Sequence, residues 1–487
     1  MVKILRFDHL ATLRRRQQHS PHNATIDVAA APPLAPLAPV NLSDRSEITA
    51  ALDVSARIGA LLIIAGTPNG DAEEQVRSLA ESFGVWNCHV DATHQRIRLF
   101  TSVGGQQGVQ VVHIIKPEAQ NFRKLTLVDK LIRDIHTGRA GLTDAIVRLN
   151  AIEASKERMG DLGVIASWAT MSLGVSMLIG GDVPVQIIST MVAAVIMWLS
   201  MVLGKQGLPL FYQNTAGGVL AAIVSTYAYH LGGQFDISLK PSIVISTSIV
   251  VMLAGLTLLQ AFHNGVTSAP ITAMARLFDT MMITAGVVAG VGMGIAISAY
   301  LGLQLPPMET APVPNFASTA VTILGGTTAT VGFSRACFAD WNTTIIAGAT
   351  ALWGSLVYNF VLLPVGIEGM SATFGTAAVI GLTGGLLARR FQIPPLIIAI
   401  AGATPLLPGL SVYRGLYGLM HEQLLAGFAG LVYAIVTCTM LAAGIVLGEW
   451  VARLLRRPPK MATYKQLAKK MVRTRRAQIQ FGVRTQK

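Results

Sequence analysis

The hydrophobic and polar positions divide this chain into three regions. Between residues 47 and 158, apolar residues recur at helical or alternating spacing, as in a globular domain with its own core. From residue 159 to residue 449 the chain is a series of long apolar segments separated by short polar breaks. After residue 450 the sequence turns basic. The pattern predicts a globular domain, a membrane body and a carboxyl-terminal tail.

The globular region predicts a small α+β domain over residues 47–158. A buried helix spans residues 55–66, and a second begins at NGDAEE with acidic residues in its first turn, where they suit the helix dipole. HVDAT, QRIRLFTS and VQVVHII predict three short strands, and two amphipathic helices follow. The preceding residues 1–46 include APPLAPLAP and predict a disordered tether.

The membrane body contains ten apolar segments, each near the roughly 20 residues that cross a bilayer. They predict transmembrane helices at about 162–180, 183–203, 212–232, 242–260, 277–302, 315–334, 342–363, 370–388, 393–412 and 424–448. We expect the first five in residues 159–305 and the second five in residues 306–449. The fold class is a polytopic α-helical membrane protein with an amino-terminal α+β domain.

Charge supports this division and sets an orientation. Only 13% of residues are charged, against about 25% in soluble proteins, and only seven of the 38 Lys and Arg residues lie between residues 159 and 449. With the amino terminus inside, five of the seven fall in inner loops, which satisfies the positive-inside rule. The basic tail, residues 450–487, then lies in the cytoplasm against anionic lipid, so nucleic acid is not an expected partner.

Two segments suggest an internal repeat. IVVMLAGLTLLQAF (249–262) aligns without gaps on ATPLLPGLSVYRGL (403–416), so that Gly255 matches Gly409 and Thr257 matches Ser411. Each segment lies in the fourth span of its five. Two halves with an odd number of spans insert in opposite senses, which predicts the inverted repeats of secondary transporters. No ATP-binding P-loop motif is present, so an ion gradient is the expected energy source.

Several long stretches closely resemble the threonine/serine exporter family of actinobacteria. They include SARIGALLIIAGTPNGDAEEQVRSLAESFGV, GKQGLPLFYQNTAGG, LTGGLLARRFQIPPLIIAIAGATPLLPGLSVYRGLYG and AAGIVLGEWVARLLRRPP, within residues 37–459. The resemblance implies a multi-pass plasma-membrane exporter of L-threonine and L-serine, driven by the proton motive force as an antiporter. It also implies a cytoplasmic amino-terminal domain and no enzymatic activity.

A threonine zwitterion needs partners for a carboxylate, an ammonium and a hydroxyl. Pro405, Pro408 and Gly409 predict a broken helix, whose ends expose backbone donors and carbonyls. Arg414 is a candidate to bind the substrate carboxylate. The alternative is that its side chain extends to the outer membrane–water interface. The other substrate-binding or gating candidates are Ser411, Tyr413, Gly255, Thr257, Gln260 and Asn214. For Asn214, a hydrogen bond between helices is the alternative.

Asp279 and His263 are the candidates for proton coupling. Asp279 is predicted just inside the fifth span, where a carboxylate is costly, although an ion pair with Arg276 is an equal alternative. His263 has a suitable pKa, but a histidine near a loop is more often a surface residue. The series Gly286, Gly290, Gly292 and Gly294 predicts helix packing. We expect no metal and no cofactor.

Two functional alternatives remain open at this point. The first is a membrane-anchored hydrolase or ligand receptor that acts through the cytoplasmic domain, and the second is an exporter of another small solute. Glycine-rich helix faces also permit a homo-oligomer. The lipid bilayer, protons and a small amino acid are the expected partners.

Overall fold

The computed structural model describes residues 40–42, 44–102, 108–116, 120–155, 159–235, 239–252, 255–303, 319–420 and 423–455. Most of the predicted tether and most of the basic tail therefore lie outside the described residues. The rest forms an amino-terminal αβ unit, residues 45–153, and a helical body, residues 161–455.

The αβ unit has two helices, three strands and two more helices, as the sequence predicts. Its elements are α1 (Arg45–Ile64), α2 (Asn69–Ser82), β1 (His89–Ala92), β2 (Arg96–Thr101), β3 (Val109–Ile114), α3 (Phe122–His136) and α4 (Leu142–Glu153). The strands form one antiparallel sheet in the order β1-β2-β3. In β2 the apolar Ile97 and Leu99 are buried while Arg96 and Arg98 are exposed, so the alternation fixes which face meets the helices.

Helix α1 begins earlier than the sequence suggests. Asp44 caps it by accepting a hydrogen bond from the Ser46 backbone N–H at 2.8 Å, so Arg45 and Ser46 are helical rather than part of a tether. The helix forms the centre of the unit and contacts α2, α3, α4, β2 and β3. It ends before Gly66, whose φ of +98° suits a residue without a Cβ.

Helices dominate the body, and two of them are broken. In order they are α5 (Asp161–Ile179), α6 (Val183–Lys205), α7 (Leu210–Gln234), α8 (Pro241–Ser248), α9 (Gly255–Val266), α10 (Pro270–Tyr300), α11 (Thr319–Ala336), α12 (Trp341–Val357), α13 (Gly369–Phe391), α14 (Pro395–Gly402), α15 (Gly409–Met420) and α16 (Leu424–Leu455). A 3₁₀ turn, Ile249–Met252, extends α8, and another, Thr404–Leu406, follows α14.

This protein is a multi-pass helical membrane protein, but the structure supports fewer spans than the sequence prediction of ten. Within the described residues, six helices are long and apolar enough to cross a bilayer: α5, α6, α10, α12 with the π turn Tyr358–Leu362 that extends it, α13 and α16. Counting each bent pair, α8 with α9 and α14 with α15, as one span gives up to eight. Helices α7 and α11 occupy predicted spans without meeting this criterion. Both carry small and polar residues on buried faces, which lowers their apolar character.

Glycines set the closest helix contacts of the body. Helix α7 packs along α10, α13 along α16, and α5 along α11. A Cβ at Gly286 or Gly294 would lie 2.7 Å from a backbone oxygen of α7, and a Cβ at Gly290 would overlap the Thr215 carbonyl. The predicted packing role is therefore confirmed for these three. It is wrong for Gly292, where a Cβ would meet nothing within 4 Å.

The αβ unit and the body share one apolar core. Phe122 at the start of α3 stacks edge-on against Phe333 of α11, with 6.1 Å between ring centroids. Its backbone N–H donates to the Cys337 carbonyl at 2.9 Å. Buried residues of α14, Leu396 and Ile397 among them, belong to the same cluster. Because this core crosses the junction, the αβ unit is packed onto the body rather than tethered to it.

We expect the αβ unit to lose stability in acid because of His136. Burial lowers the pKa of this histidine to about 4, and its Nδ1 lies 2.8 Å from the Ser82 hydroxyl. The folded state therefore binds fewer protons than the unfolded state between about pH 6.5 and about pH 4. Above this window His136 does not reduce the free energy of unfolding. As the pH falls through the window, the free energy of unfolding decreases by about 3 kcal/mol.

Thermal unfolding of the purified protein at about pH 7 and about pH 5 measures this loss. The variant His136→Gln cannot titrate at this position, and we expect a smaller acid-induced drop in its melting temperature. An equal drop in both proteins would assign the acid sensitivity to other groups.

Candidate functional site

Two helix breaks face each other in the middle of the body. The pair α8 and α9 is bent by 56°, and the pair α14 and α15 by 41°. A Cβ on Gly255, the first residue of α9, would lie 3.4 Å from the Cα of Gly409, the first residue of α15. The sequence alignment that matches these two glycines thus pairs residues that are also in contact.

The second break is confirmed where the sequence predicts it. Pro405 and Pro408 have no backbone N–H to donate, and α14 ends at Gly402 before the 3₁₀ turn. The first break lacks a proline at the matching positions. There the helix changes to a 3₁₀ turn after Ser248 and resumes as α9 at Gly255.

A cavity of about 430 Å³ lies against the two breaks. Its lining comes from α5, α6, α7, α9, α10, α11, α15 and both 3₁₀ turns. Most lining residues are apolar, and no Asp, Glu, Lys, Arg or His is among them. Polar groups are supplied by Ser200, Asn214, Thr257 and Thr404. A mostly apolar cavity with a few converging polar groups is typical of a small-molecule site.

The helix ends give the uncharged cavity its electrostatic character. Helices α9 and α15 begin at its wall, so their first-turn N–H groups and the positive ends of their dipoles lie there. The 3₁₀ turns after α8 and α14 bring the opposite, carbonyl-rich ends of two helices to the same place. The arrangement can therefore accept an anionic and a cationic group of one small molecule.

Four of the predicted substrate residues meet at this cavity: Asn214, Gly255, Thr257 and Gly409. Asn214 also donates to the Ile283 carbonyl of α10 at 3.4 Å, so it makes the alternative contact between helices as well. Sequence reasoning missed Ser200 and Thr404, because hydroxyl residues are common in helices of this kind and carry no distinctive spacing.

The other predicted residues of α15 do not line the cavity. Pro408 immediately precedes α15, and Ser411 follows on the first turn. Tyr413 is 1% exposed and packs in an apolar cluster with Ile245 and Val287. Arg414 is partly buried on the same helix.

We expect Arg414→Lys to impair transport more than membrane insertion if Arg414 holds a carboxylate. Lysine keeps the charge but loses the planar fork that binds a carboxylate with two hydrogen bonds. Uptake or efflux of labelled substrate, normalised to the amount of inserted protein, measures the effect. Wild-type transport in this variant would favour the interfacial alternative.

Gln260 lies one turn beyond Thr257 and faces the αβ unit. It is 1% exposed, and its Oε1 accepts a hydrogen bond from Nη1 of Arg276. Arg276 is also buried, at 6% exposed, and its Nη2 lies 3.4 Å from the Ile63 carbonyl of α1. The sequence places Arg276 in an inner loop, but α10 begins at Pro270 and carries Arg276 within the helix.

Of the two proton-coupling candidates, Asp279 contacts the αβ unit, and His263 lies in the last turn of α9. Asp279 has a side chain that is 51% exposed, and its Oδ2 lies 3.5 Å from Nε2 of His94 rather than beside Arg276 as an ion pair. Burial, and next the charge of Arg276, lowers the pKa of His94, while Asp279 opposes this shift. His263 is 3% exposed, so the expectation of a surface histidine is wrong. The proton-coupling roles of both residues stay predictions.

Two family models match the chain. One, described as a putative threonine/serine exporter, matches residues 53–298, and the other, described as "Threonine/Serine exporter, ThrE", matches residues 322–451. A threonine/serine exporter of Corynebacterium glutamicum is 44% identical over 462 residues, which cover 94% of this chain and 93% of that protein. A probable threonine/serine exporter of Mycobacterium tuberculosis is 27% identical over 419 residues, covering 83% and 77%. No solved structure matches the chain.

Proposed function

We propose that this chain, which belongs to the threonine/serine exporter family, exports L-threonine and L-serine across the plasma membrane in exchange for protons. Its relatives are named as exporters, and the chain is a transport protein rather than an enzyme. This finding removes the hydrolase alternative. The cavity between the two facing helix breaks is the observation that carries the proposal.

A hydroxy amino acid fits the chemistry of this cavity. About 430 Å³ falls within the roughly 300–1,000 Å³ of small-molecule sites. The first-turn N–H groups of α9 and α15 are suited to the carboxylate, and the carbonyl ends of the 3₁₀ turns are suited to the ammonium. Thr257 or Thr404 would then exchange hydrogen bonds with the substrate hydroxyl.

The packing supports two inverted five-helix repeats. Pairing α5–α10 with α11–α16 in order makes α8 equivalent to α14, and both have eight residues and begin with proline. It also makes α9 equivalent to α15, with twelve residues each and glycine first. The close pair of α7 and α10 corresponds to the close pair of α13 and α16. The two family models divide the chain between α10 and α11 as well.

The repeats imply ten spans, with α7 and α11 crossing the membrane among other helices. A crossing helix whose faces are covered by protein needs less apolar surface than one exposed to lipid. An even number of spans places the amino-terminal unit and the basic tail on the same side, and the positive-inside rule puts both in the cytoplasm.

Purified protein in vesicles tests the substrate assignment. Labelled threonine inside the vesicles should leave faster when a proton gradient is imposed, and unlabelled serine should compete. A panel that includes a dipeptide and a dicarboxylate separates this proposal from an exporter of another small solute. If none of the labelled compounds moves, the proposal fails and a receptor role for the αβ unit gains support.

A further inference from the structure

A ladder of polar side chains runs between α9 and α10 from the cavity to the αβ unit. Its first rung joins the hydroxyls of Thr257 and Thr280, which are 3.1 Å apart. One turn further, Arg276 donates to Gln260. The last rung is formed by Asn264 and Thr272, and both bind the same residue of the αβ unit, Asn69.

Asn69 closes the end of this ladder. Its backbone N–H donates to Oδ1 of Asn264 at 3.0 Å, and its side-chain amide donates to the Thr272 hydroxyl at 2.8 Å. Asn69 lies three residues after Gly66, and a Cβ added to Gly66 would overlap the amide nitrogen of Gln260. The turn between α1 and α2 therefore lies directly on the polar face of α9 and α10.

Arg276 is a buried cation at the centre of the ladder. Within the described part of the chain, no carboxylate lies within ion-pair distance of its guanidinium. Its neighbour Asp279 contacts His94 instead. Asp279 attracts Arg276 only from beyond ion-pair distance. A buried cation without a direct ion pair is costly, so such a residue usually has a functional role.

The guanidinium leaves one edge nearly unused. Nη1 is engaged by Gln260, but Nε has no hydrogen-bond partner among the described residues, and Nη2 makes only the 3.4 Å contact with the Ile63 carbonyl. Adjacent N–H groups on one edge match the two oxygens of a carboxylate. The amide nitrogen of Gln260 and Oδ1 of Asn69 are also buried without a partner in the described structure. The same ladder therefore also offers an unused donor and an unused acceptor.

We propose that Arg276 is an inner binding site for the carboxylate of the transported amino acid, covered in this structure by the turn from Ile63 to Asn69. This inference rests on the proposed function. The substrate would bind Nε and Nη2 of Arg276 through its carboxylate, with Gln260 as a further donor and Asn69 as an acceptor for its ammonium. Displacement of the turn would open the site, and the ladder would lead the substrate to the cavity.

The test compares L-threonine with L-threoninol, which has the same hydroxyl and amine but no carboxylate. In vesicles, wild-type protein should bind threoninol at least about ten-fold more weakly, judged by its inhibition of threonine transport. Arg276→Gln should raise the KM for threonine roughly ten- to hundred-fold and leave inhibition by threoninol unchanged. Arg276→Lys keeps the charge that the fold tolerates, and its KM should also rise because the fork is lost.

Arg133→Gln is the matched control. Arg133 also links the αβ unit to the body, through the Gln392 carbonyl at 3.2 Å, but it lies at the edge of the junction. We expect its KM for threonine to stay at the wild-type value.

Two results would overturn the inference. One is equal affinity of the wild-type protein for threonine and threoninol. The other is an equal loss for both compounds in Arg276→Lys, since a purely structural role affects them alike. Absence of threonine transport by the wild-type protein would instead contradict the proposed function itself.

Discussion

We expect Gly290→Val to destabilise the helical body strongly and Gly292→Val to leave it intact. A Cβ at Gly290 would overlap the backbone oxygen of Thr215 in α7, and no side-chain rotation relieves a clash with backbone. Helices α7 and α10 would have to separate along their length, and overpacking of this kind typically costs about 1–3 kcal/mol or more. At Gly292, two residues along the same helix, a Cβ meets nothing within 4 Å.

The fraction of purified protein that is monodisperse, together with its melting temperature in detergent, measures this difference. The two variants add the same side chain to the same helix, so any effect on helix propensity or insertion is shared. A Gly290→Val protein that melts like the Gly292→Val protein would show that the close contact of α7 and α10 does not hold the body together.

We expect removal of residues 1–158 to abolish transport and to destabilise the helical body. The deletion uncovers Phe333, Leu396 and Ile397, all of which are buried in the core shared with the αβ unit. It also removes Asn69, which binds Asn264 and Thr272, and the Ile63 carbonyl, which contacts Arg276. These polar groups are buried in the complete protein and would become exposed. The first effect acts on α11 and α14, and the second acts on α9, the half-helix that begins at the cavity wall, and on its neighbour α10.

Co-expression of residues 1–158 as a separate chain supplies the control for this deletion. We expect it to restore part of the transport, because the junction is made of packing and hydrogen bonds and does not require a continuous backbone. Transport by the truncated body alone with the wild-type KM would contradict this prediction and reduce the αβ unit to a dispensable attachment.

Local sequence signals predicted the elements of this fold well. Alternation of apolar and charged residues around Ile97 and Leu99 gave the strand β2 and its buried face. Pro405 and Pro408 predicted the second helix break, because a residue without a backbone N–H interrupts a helix wherever it occurs. The alignment of Gly255 with Gly409 matched equivalent positions, but the first break, which no proline marks, was not predicted.

The contacts of Gln260, Arg276 and Asp279 were beyond the reach of the sequence. Arg276 and the Ile63 carbonyl are 213 positions apart, and neither residue carries a local feature that indicates the other. Spacing offered an ion pair between Arg276 and Asp279 as an equal alternative, but the αβ unit supplies His94 to Asp279 and a helix-end carbonyl to Arg276. The number of spans is not settled by hydropathy for a related reason, since α7 and α11 pack among helices and carry polar residues that lower their apolar character.

Protection of a cysteine in the cavity tests the central claim most directly. Thr257→Cys places a thiol at the wall between the two breaks, and the three native cysteines are buried and give little background. We predict that L-threonine slows the reaction of this thiol with a water-soluble reagent, with half-maximal protection near the KM for transport. A cysteine at the exposed Ile114 of β3 should not be protected. Equal labelling of Thr257→Cys with and without threonine would show that the substrate does not occupy this cavity.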